Sequence, residues 1–278
     1  MKIISALLSI LLSVTCGSGK ERIYRGSTPA DTVIRSFLGI PLPDSVDFIR
    51  WKLILRENQY HLQCNYGIGK PNTNGFINGG KKIELTGALR KEKNYYQFQN
   101  KDKTLNVAEL NADLLHLLDA DNSLLVGNGG WSYTLNNITP SGTDQINIAP
   151  QQIVLKDSIA FEGRTPCNVP GVIAPGTECY KLKWYIVLYS NAEKKESGNY
   201  KVYGTTWRKE GARTGKWKIN SGKNGRIIYQ LIDDKGNGFL YLLKADEHIL
   251  VFTDANGKLL VGDEDFSYTL NNTGRSLL

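Results

Sequence analysis

Apolar and polar residues alternate along much of this 278-residue chain. At residues 49–55 apolar side chains occupy every odd position, among them Trp51, and at residues 182–188 they occupy every even position, among them Trp184. A period of two is typical of a β-strand that buries one face. No stretch keeps the apolar spacing of a capped amphipathic helix, so the pattern predicts an all-β protein.

Short segments of similar character follow at close spacing, with turn-forming residues between them. In the first half of the chain the predicted strands are residues 49–55, 60–66, 81–85, 95–99, 105–109, 114–118, 124–126 and 131–135. In the second half, Asn256-Gly257 stands between two apolar segments, which is a strong hairpin signal. About eight strands in up-and-down order predict a small closed antiparallel meander barrel, because closure removes exposed edges. A flattened two-layer sandwich is the alternative.

One stretch of fourteen residues occurs twice, as LLVGNGGWSYTLNN at residues 124–137 and as LLVGDEDFSYTLNN at residues 259–272. The similarity continues upstream to residue 105 at the same offset of 135 residues. At an offset of 133 the Trp51 strand lies over the Trp184 strand, and near the front Gly26 matches Gly163 at an offset of 137. Because the order is kept, the chain is a tandem duplication with units near residues 22–137 and 159–272.

Each unit has the length of one domain, since domains usually hold ~100–200 residues. The sequence therefore predicts two tandem barrels, over residues 20–137 and 159–278, each of about eight strands. Residues 138–158 lack aromatics and contain Pro140, Gly142 and Pro150, which predicts a linker. If only this linker joins the units, each of them should fold independently.

The first sixteen residues predict export. Lys2 is followed by an apolar stretch at residues 3–12, too short to span a bilayer as a helix but typical of a secretory signal. The segment ends at Cys16, before a Gly-Ser-Gly sequence, as in bacterial lipoproteins whose cysteine is lipidated after cleavage. The hypothesis is a signal peptide at residues 1–16 with Cys16 as the lipid attachment site. A plain secretory signal with an unrelated cysteine is the alternative.

Export makes a disulfide the expected state of Cys167 and Cys179, which lie in a Pro/Gly-rich segment. The duplication supplies an internal control, because the first unit has Ala30 and Val46 at the aligned positions. Both cysteines are absent there together, as expected for a bonded pair. Closing this loop would be worth roughly 3 kcal/mol in the chain-entropy model. Cys64 has no partner left and is predicted to be a free, buried thiol.

Several short motifs resemble the N-terminal domain of the NlpE family, outer-membrane lipoproteins linked to copper resistance and surface-adhesion stress signalling. The motifs are Phe161-Glu162-Gly163-x-x-Pro166-Cys167, Gly215-Lys216-Trp217 and Gly257-x-Leu259, with Phe266-x-Tyr268-Thr269-Leu270 at the end. The resemblance implies a lipocalin-like barrel tethered by a lipidated cysteine at the outer membrane. The family also carries Cys-x-x-Cys after the proline. Here the second cysteine of that motif is replaced by Pro170, which puts metal handling and the family's signalling role in doubt.

The sequence offers no recognisable catalytic, cofactor or metal site. The three histidines, His61, His116 and His248, stand singly and do not align between the units, so structural or surface roles are expected. Met occurs only at position 1, which excludes a thioether copper site after cleavage. No hydrolase, zinc-protease or phosphate-loop motif occurs.

The formal net charge of +7 is modest, and the basic residues are spread over strands and turns. Attraction to anionic lipid head groups is one interpretation and solubility is the other, whereas nucleic-acid binding is not expected of an exported protein. We favour a non-enzymatic envelope lipoprotein that acts as a sensor, in envelope-stress signalling or maintenance, or by binding an envelope protein partner. The alternatives are a lipocalin-like carrier of a small apolar ligand, which needs an open barrel, and a hydrolase with scattered residues.

Overall fold

Sixteen antiparallel strands form two closed barrels in the computed structural model, which describes residues 21–143, 145–174, 176–221 and 225–275. The first barrel contains β1 (Arg22–Thr28), α1 (Thr32–Leu38), β2 (Phe48–Arg56), β3 (Gln59–Gly67), a 3-10 turn (Ile77–Gly79), β4 (Lys81–Lys91), β5 (Tyr95–Asn100), β6 (Lys103–Asn111), β7 (Leu114–Leu117) and β8 (Thr134–Asn137). The second contains β9 (Ser158–Thr165), β10 (Leu182–Asn191), β11 (Glu196–Gly204), β12 (Arg213–Ser221), β13 (Ile227–Ile232), β14 (Gly238–Lys244), β15 (Ile249–Thr253) and β16 (Thr269–Asn271).

Each barrel is a meander in which consecutive strands pair and the last strand returns to the first. The first barrel closes where Tyr24 pairs with Asn137, and the second closes where Glu162 pairs with Asn271. The prediction of two closed antiparallel eight-stranded barrels in tandem is therefore confirmed. The sandwich alternative was wrong.

Two local predictions in the first unit were wrong. Residues 124–126 form no strand beyond an isolated bridge between Leu118 and Leu124, and β1 takes the eighth place in the barrel instead. The short helix α1 was also missed. It is capped by Asp31, whose side chain accepts from the Val33 amide, and it ends at Gly39 in the left-handed conformation at φ 71°.

The interior of the first barrel is filled with large side chains. Trp51 is 1% exposed and its indole N–H donates to Thr28 Oγ1 over 2.8 Å. Phe37 of α1 lies with its ring centroid 6.3 Å from that of Tyr60, so the helix closes one end of the barrel. Other large side chains with less than 2% exposure include Tyr24, Tyr96 and Phe98. Aromatic packing of this kind fills a small barrel.

The second barrel repeats the buried tryptophan and closes its end differently. The indole N–H of Trp184 donates to Thr165 Oγ1 over 2.9 Å, as Trp51 does to Thr28. After β9, where the first unit has α1, the chain instead forms a loop held by the disulfide between Cys167 and Cys179, with a Cα–Cα distance of 6.0 Å. Val169 of this loop is buried in the barrel core.

Candidate functional site: the barrel junction and the groove beside it

The two barrels share a hydrophobic core of their own. It combines Leu110 and Leu114 from the first barrel with Leu243 and Ile249 from the second, and Ile146 from between the barrels is buried among them. The segment at residues 138–158 therefore contributes to the packing between the barrels as well as connecting them. Burial of this apolar surface stabilises the association of the barrels, so the condition that a linker is the only connection between the units is not met.

Equivalent residues of the two units meet face to face at this junction. Ser132 Oγ lies 2.6 Å from Ser267 Oγ, and Thr134 Oγ1 lies 3.0 Å from Thr269 Oγ1. Each pair consists of residues 135 positions apart, which is the offset of the duplication. Contacts between equivalent residues are the mark of an isologous, twofold interface. The junction is therefore a pseudo-twofold axis within one chain.

Two reciprocal hydrogen bonds obey the same symmetry. The Gly262 amide donates to Asn136 Oδ1 over 2.9 Å, and the Gly127 amide donates to Asn271 Oδ1 over 2.7 Å. A Cβ on either glycine would lie 2.2 Å from a backbone carbonyl of its own turn, at Trp131 or Phe266, and 2.9 Å from the amide group of the facing asparagine, so glycine is required at both positions. The repeated fourteen residues thus form both halves of one interface.

The turns within the repeated segments cross onto the opposite barrel. In the second copy the turn carries Glu264, which accepts from Arg25 over 2.8 Å and whose carbonyl accepts from Ser27 over 3.2 Å. Asp265 beside it accepts from Arg50 and from Asn74, each over 2.5 Å. Burial raises the pKa of Asp265, and the charge of Arg50 opposes that shift. The acidic turn therefore holds two arginines of the first barrel in place.

The first copy has Gly129, Gly130 and Trp131 where the second has acidic residues and Phe266. The Trp131 ring stacks on Phe48 with a centroid distance of 4.7 Å, and the Arg164 guanidinium lies 5.3 Å from its centroid. Phe48 belongs to the first barrel, so this turn contacts the second barrel through the cation–π contact with Arg164 instead of ion pairs. The two turns therefore differ in sequence and in contacts, and the pseudo-twofold symmetry of the junction does not extend to them.

A groove of about 710 Å³ lies on the outer face of the first barrel beside the acidic turn. Its polar lining comes from four adjacent strands and from that turn: Arg25, Arg50, Lys52, Gln63, Asn65, Lys82, Glu84 and Glu264. Strand register explains this convergence. Arg25 pairs with Lys52, Lys52 with Gln63 and Gln63 with Glu84, so one row of outward side chains crosses β1 to β4.

The second row of the groove holds Arg50, Asn65 and Lys82, which pair across β2, β3 and β4. Four cations thus face two carboxylates within the lining. The carboxylates lie at its ends: Glu264 pairs with Arg25, while Glu84 accepts from His61 over 2.5 Å and from Gln63 over 3.3 Å. The hydrogen bond from His61 lowers the pKa of Glu84.

The centre of the groove is left with unbalanced positive charge. The side chains of Lys52 and Lys82 form no ion pair or hydrogen bond with any other residue that the structure describes. The Arg25 and Arg50 side chains are only 36% and 31% exposed, so their charges are less screened than those of free surface arginines. Chemically, this arrangement can attract and hydrogen-bond an anion.

The residues that the sequence singled out lie elsewhere. Cys16 is outside the described residues, and the disulfide between Cys167 and Cys179 is formed at the end of the second barrel. Cys64 is a free thiol, 3% exposed, and burial raises its pKa well above the ordinary value. The groove side chains were missed, although positions 50, 52, 63 and 65 show the polar phase of the strand alternation.

His116 lies fully buried at the junction. Its Nε2 is 2.9 Å from the Leu125 carbonyl, which can only accept, so Nε2 carries the proton and donates. Nδ1 then accepts from the Thr134 hydroxyl over 3.0 Å, and Thr134 in turn accepts from Thr269. Burial lowers the pKa of His116 to about 4. The ring is neutral and acts as a structural hydrogen-bonding group between strands.

Among the described residues no group of three or more His, Cys, Asp or Glu side chains is arranged to hold a metal ion. Within the same part of the chain, no helix is both long and apolar enough to cross a membrane. Comparisons of the chain with models of known protein families, with curated proteins and with solved structures gave no match.

Proposed function

We propose that this chain is a non-enzymatic lipoprotein of the bacterial cell envelope, tethered by lipid on Cys16, that binds its ligand or partner on the outside of a two-barrel body. The N-terminal sequence and the NlpE-like motifs support a location in the outer membrane. A role in sensing or maintaining the envelope fits a rigid module with an external binding surface.

The observation that favours external binding is the packing of the barrel interiors. Trp51, Tyr24, Tyr60, Tyr96 and Phe98 fill the first barrel and are at most 2% exposed. A lipocalin-like carrier would need that space for its ligand. The groove of about 710 Å³ lies instead on the outer face, beside the junction that fixes Arg25 and Arg50. The carrier function is therefore less well supported than surface binding.

Replacement of the proposed lipid-bearing residue tests the location. Cys16→Ser should move the protein from the membrane fraction to the soluble periplasm, because one serine cannot carry the thioether-linked lipid. The matched control is Cys64→Ser, which changes a buried thiol inside the first barrel and should leave the protein in the membrane fraction. Membrane retention of Cys16→Ser, or an unmodified Cys16 in the mature protein, would refute the lipoprotein proposal.

Native mass spectrometry separates the carrier from the surface binder. Protein extracted from its own membrane should carry the covalent lipid and no stoichiometric apolar molecule. A retained apolar ligand that survives desolvation would favour the carrier and would require the packed interior to open.

A further inference from the structure

We infer that the groove beside the junction binds a phosphorylated sugar, with the phosphate among Arg25, Arg50 and Lys52 and the sugar hydroxyls toward Gln63 and Glu84. The inference deepens the proposed function, since it names the ligand of the proposed external surface. Its chemistry does not depend on where the protein resides.

The charge arrangement points to an anion. Arg25 and Lys52 are direct cross-strand neighbours, and like charges in that position destabilise a sheet. Arg50 lies two residues before Lys52 on the same face of β2, which adds a third cation. Only Arg25 and Arg50 are balanced, by Glu264 and Asp265. A phosphate between the three cations would relieve the repulsion and accept several charge-assisted hydrogen bonds.

The far end of the groove points to hydroxyl groups. Glu84 takes its hydrogen bonds from His61 and Gln63 on Oε1, which leaves Oε2 without a donor among the described residues. Gln63 Oε1 likewise accepts no hydrogen bond from them. Two unused acceptors on the same row as Lys52 suit a ligand that donates hydrogen bonds beside its anionic group. Inorganic phosphate alone would leave this end unused.

The second barrel provides a built-in negative comparison. By register, the positions equivalent to Arg25, Lys52 and Gln63 are Glu162, Tyr185 and Tyr203. Glu162 and Tyr185 replace the cations Arg25 and Lys52, and only Lys183, at the position of Arg50, keeps a positive charge, so this face is less suited to a phosphate. The inference therefore predicts one site per chain, on the first barrel only.

Titration of the full chain with glucose 1-phosphate tests the inference, using calorimetry for affinity and backbone amide NMR shifts for location. We use the Cys16→Ser chain to exclude effects of the lipid, and we expect saturable binding of one ligand, with shifts at Lys52 and Gln63. Lys52→Gln should weaken binding by about tenfold, the size of one hydrogen bond to a charged group. Lys216→Gln, on the exposed face of β12, is the matched control and should leave the affinity unchanged.

Inorganic phosphate and glucose define what is recognised, and both should bind more weakly than glucose 1-phosphate. Phosphatidylcholine vesicles with and without lipid A, whose headgroup is a phosphorylated sugar, identify the source. Binding to lipid A vesicles that depends on Lys52 indicates a lipid headgroup, whereas binding of the soluble sugar phosphate alone indicates a free ligand. Absence of saturable binding in both arms, equal loss with Lys216→Gln, or equal affinity for inorganic phosphate would overturn the inference. None of these outcomes depends on membrane attachment, which the Cys16→Ser fractionation tests separately.

Discussion

Acidification should lower the free energy of unfolding of this protein through His116. The duplication shows which residue can replace His116 in a control variant. The pKa of His116 is lowered from 6.5 to about 4 because burial penalises the charged ring. Between these values the unfolded chain binds a proton that the folded chain does not. The free energy of unfolding therefore falls as the pH decreases from about 6.5 to about 4 and is restored at higher pH.

The magnitude follows from the size of the pKa shift. Complete protonation of the unfolded state below about pH 4 would cost about 3 kcal/mol, because each unit of pKa corresponds to ~1.4 kcal/mol. Between pH 7 and pH 5 the two titration curves give a loss of about 2 kcal/mol. This is a large part of the stability of an ordinary domain, which is ~5–15 kcal/mol.

The matched variant is His116→Val, because the equivalent residue of the second unit is Val251, which is also fully buried at the junction. Urea titrations at pH 7 and pH 5 would give the free energy of unfolding of both proteins. The variant should be less stable at pH 7, since Leu125 and Thr134 lose their partner, but about 2 kcal/mol of pH dependence should disappear. An identical difference between the two pH values in both proteins would refute the argument.

Two further predictions concern the junction and the disulfide. Asn271→Ala leaves the buried Gly127 amide without an acceptor and should cost about 2 kcal/mol in a urea titration, whereas the exposed Asn199→Ala should stay within about 0.5 kcal/mol of the parent. A smaller loss than for Asn199→Ala would contradict the reciprocal bonding described at the junction. Reduction should lower the free energy of unfolding by roughly 3 kcal/mol and Cys167→Ser should abolish that sensitivity, so a reductant effect that persists in Cys167→Ser would show that the bridge is not its source.

The repeated architecture was predictable because strand alternation and duplication can both be recognised from the sequence alone, without knowledge of long-range contacts. The period of two at residues 49–55 indicated strands, and repeated segments with hairpin signals indicated a meander in each unit. The missed helix α1 spans only seven residues, too few for a periodic pattern, although Asp31 and Gly39 are ordinary cap residues. The segment at residues 124–126 has strand composition, but it leaves the barrel because the residues that follow reach the second barrel.

The groove and the junction could not be predicted because both depend on which residues become neighbours. Alternation places Arg50 and Lys52 outward, but only strand register sets Lys52 between Arg25 and Gln63. Likewise, the offset of 135 residues shows that Thr134 and Thr269 are copies, and not that they touch. A duplicated sequence is equally consistent with two separate domains and with an internal pseudo-dimer. The buried contacts between the barrels show that the chain forms an internal pseudo-dimer.

The difference between the junction and the outer faces of the barrels explains which parts of the two units have similar sequences and which parts differ. At the pseudo-twofold junction a residue contacts its own copy or another residue of the repeated segment in the other unit. A change at Asn136 or Gly262 therefore alters a contact of both barrels. Away from these residues the constraint is weaker: Lys52 corresponds to Tyr185 on the outer face, and at the edge of the junction Arg25, which contacts Glu264, corresponds to Glu162, which lies against Gly129. Binding chemistry can therefore differ between the barrels while their association stays symmetric. The ligand should therefore bind in the asymmetric groove and not at the symmetric interface. We expect one ligand to bind to each chain.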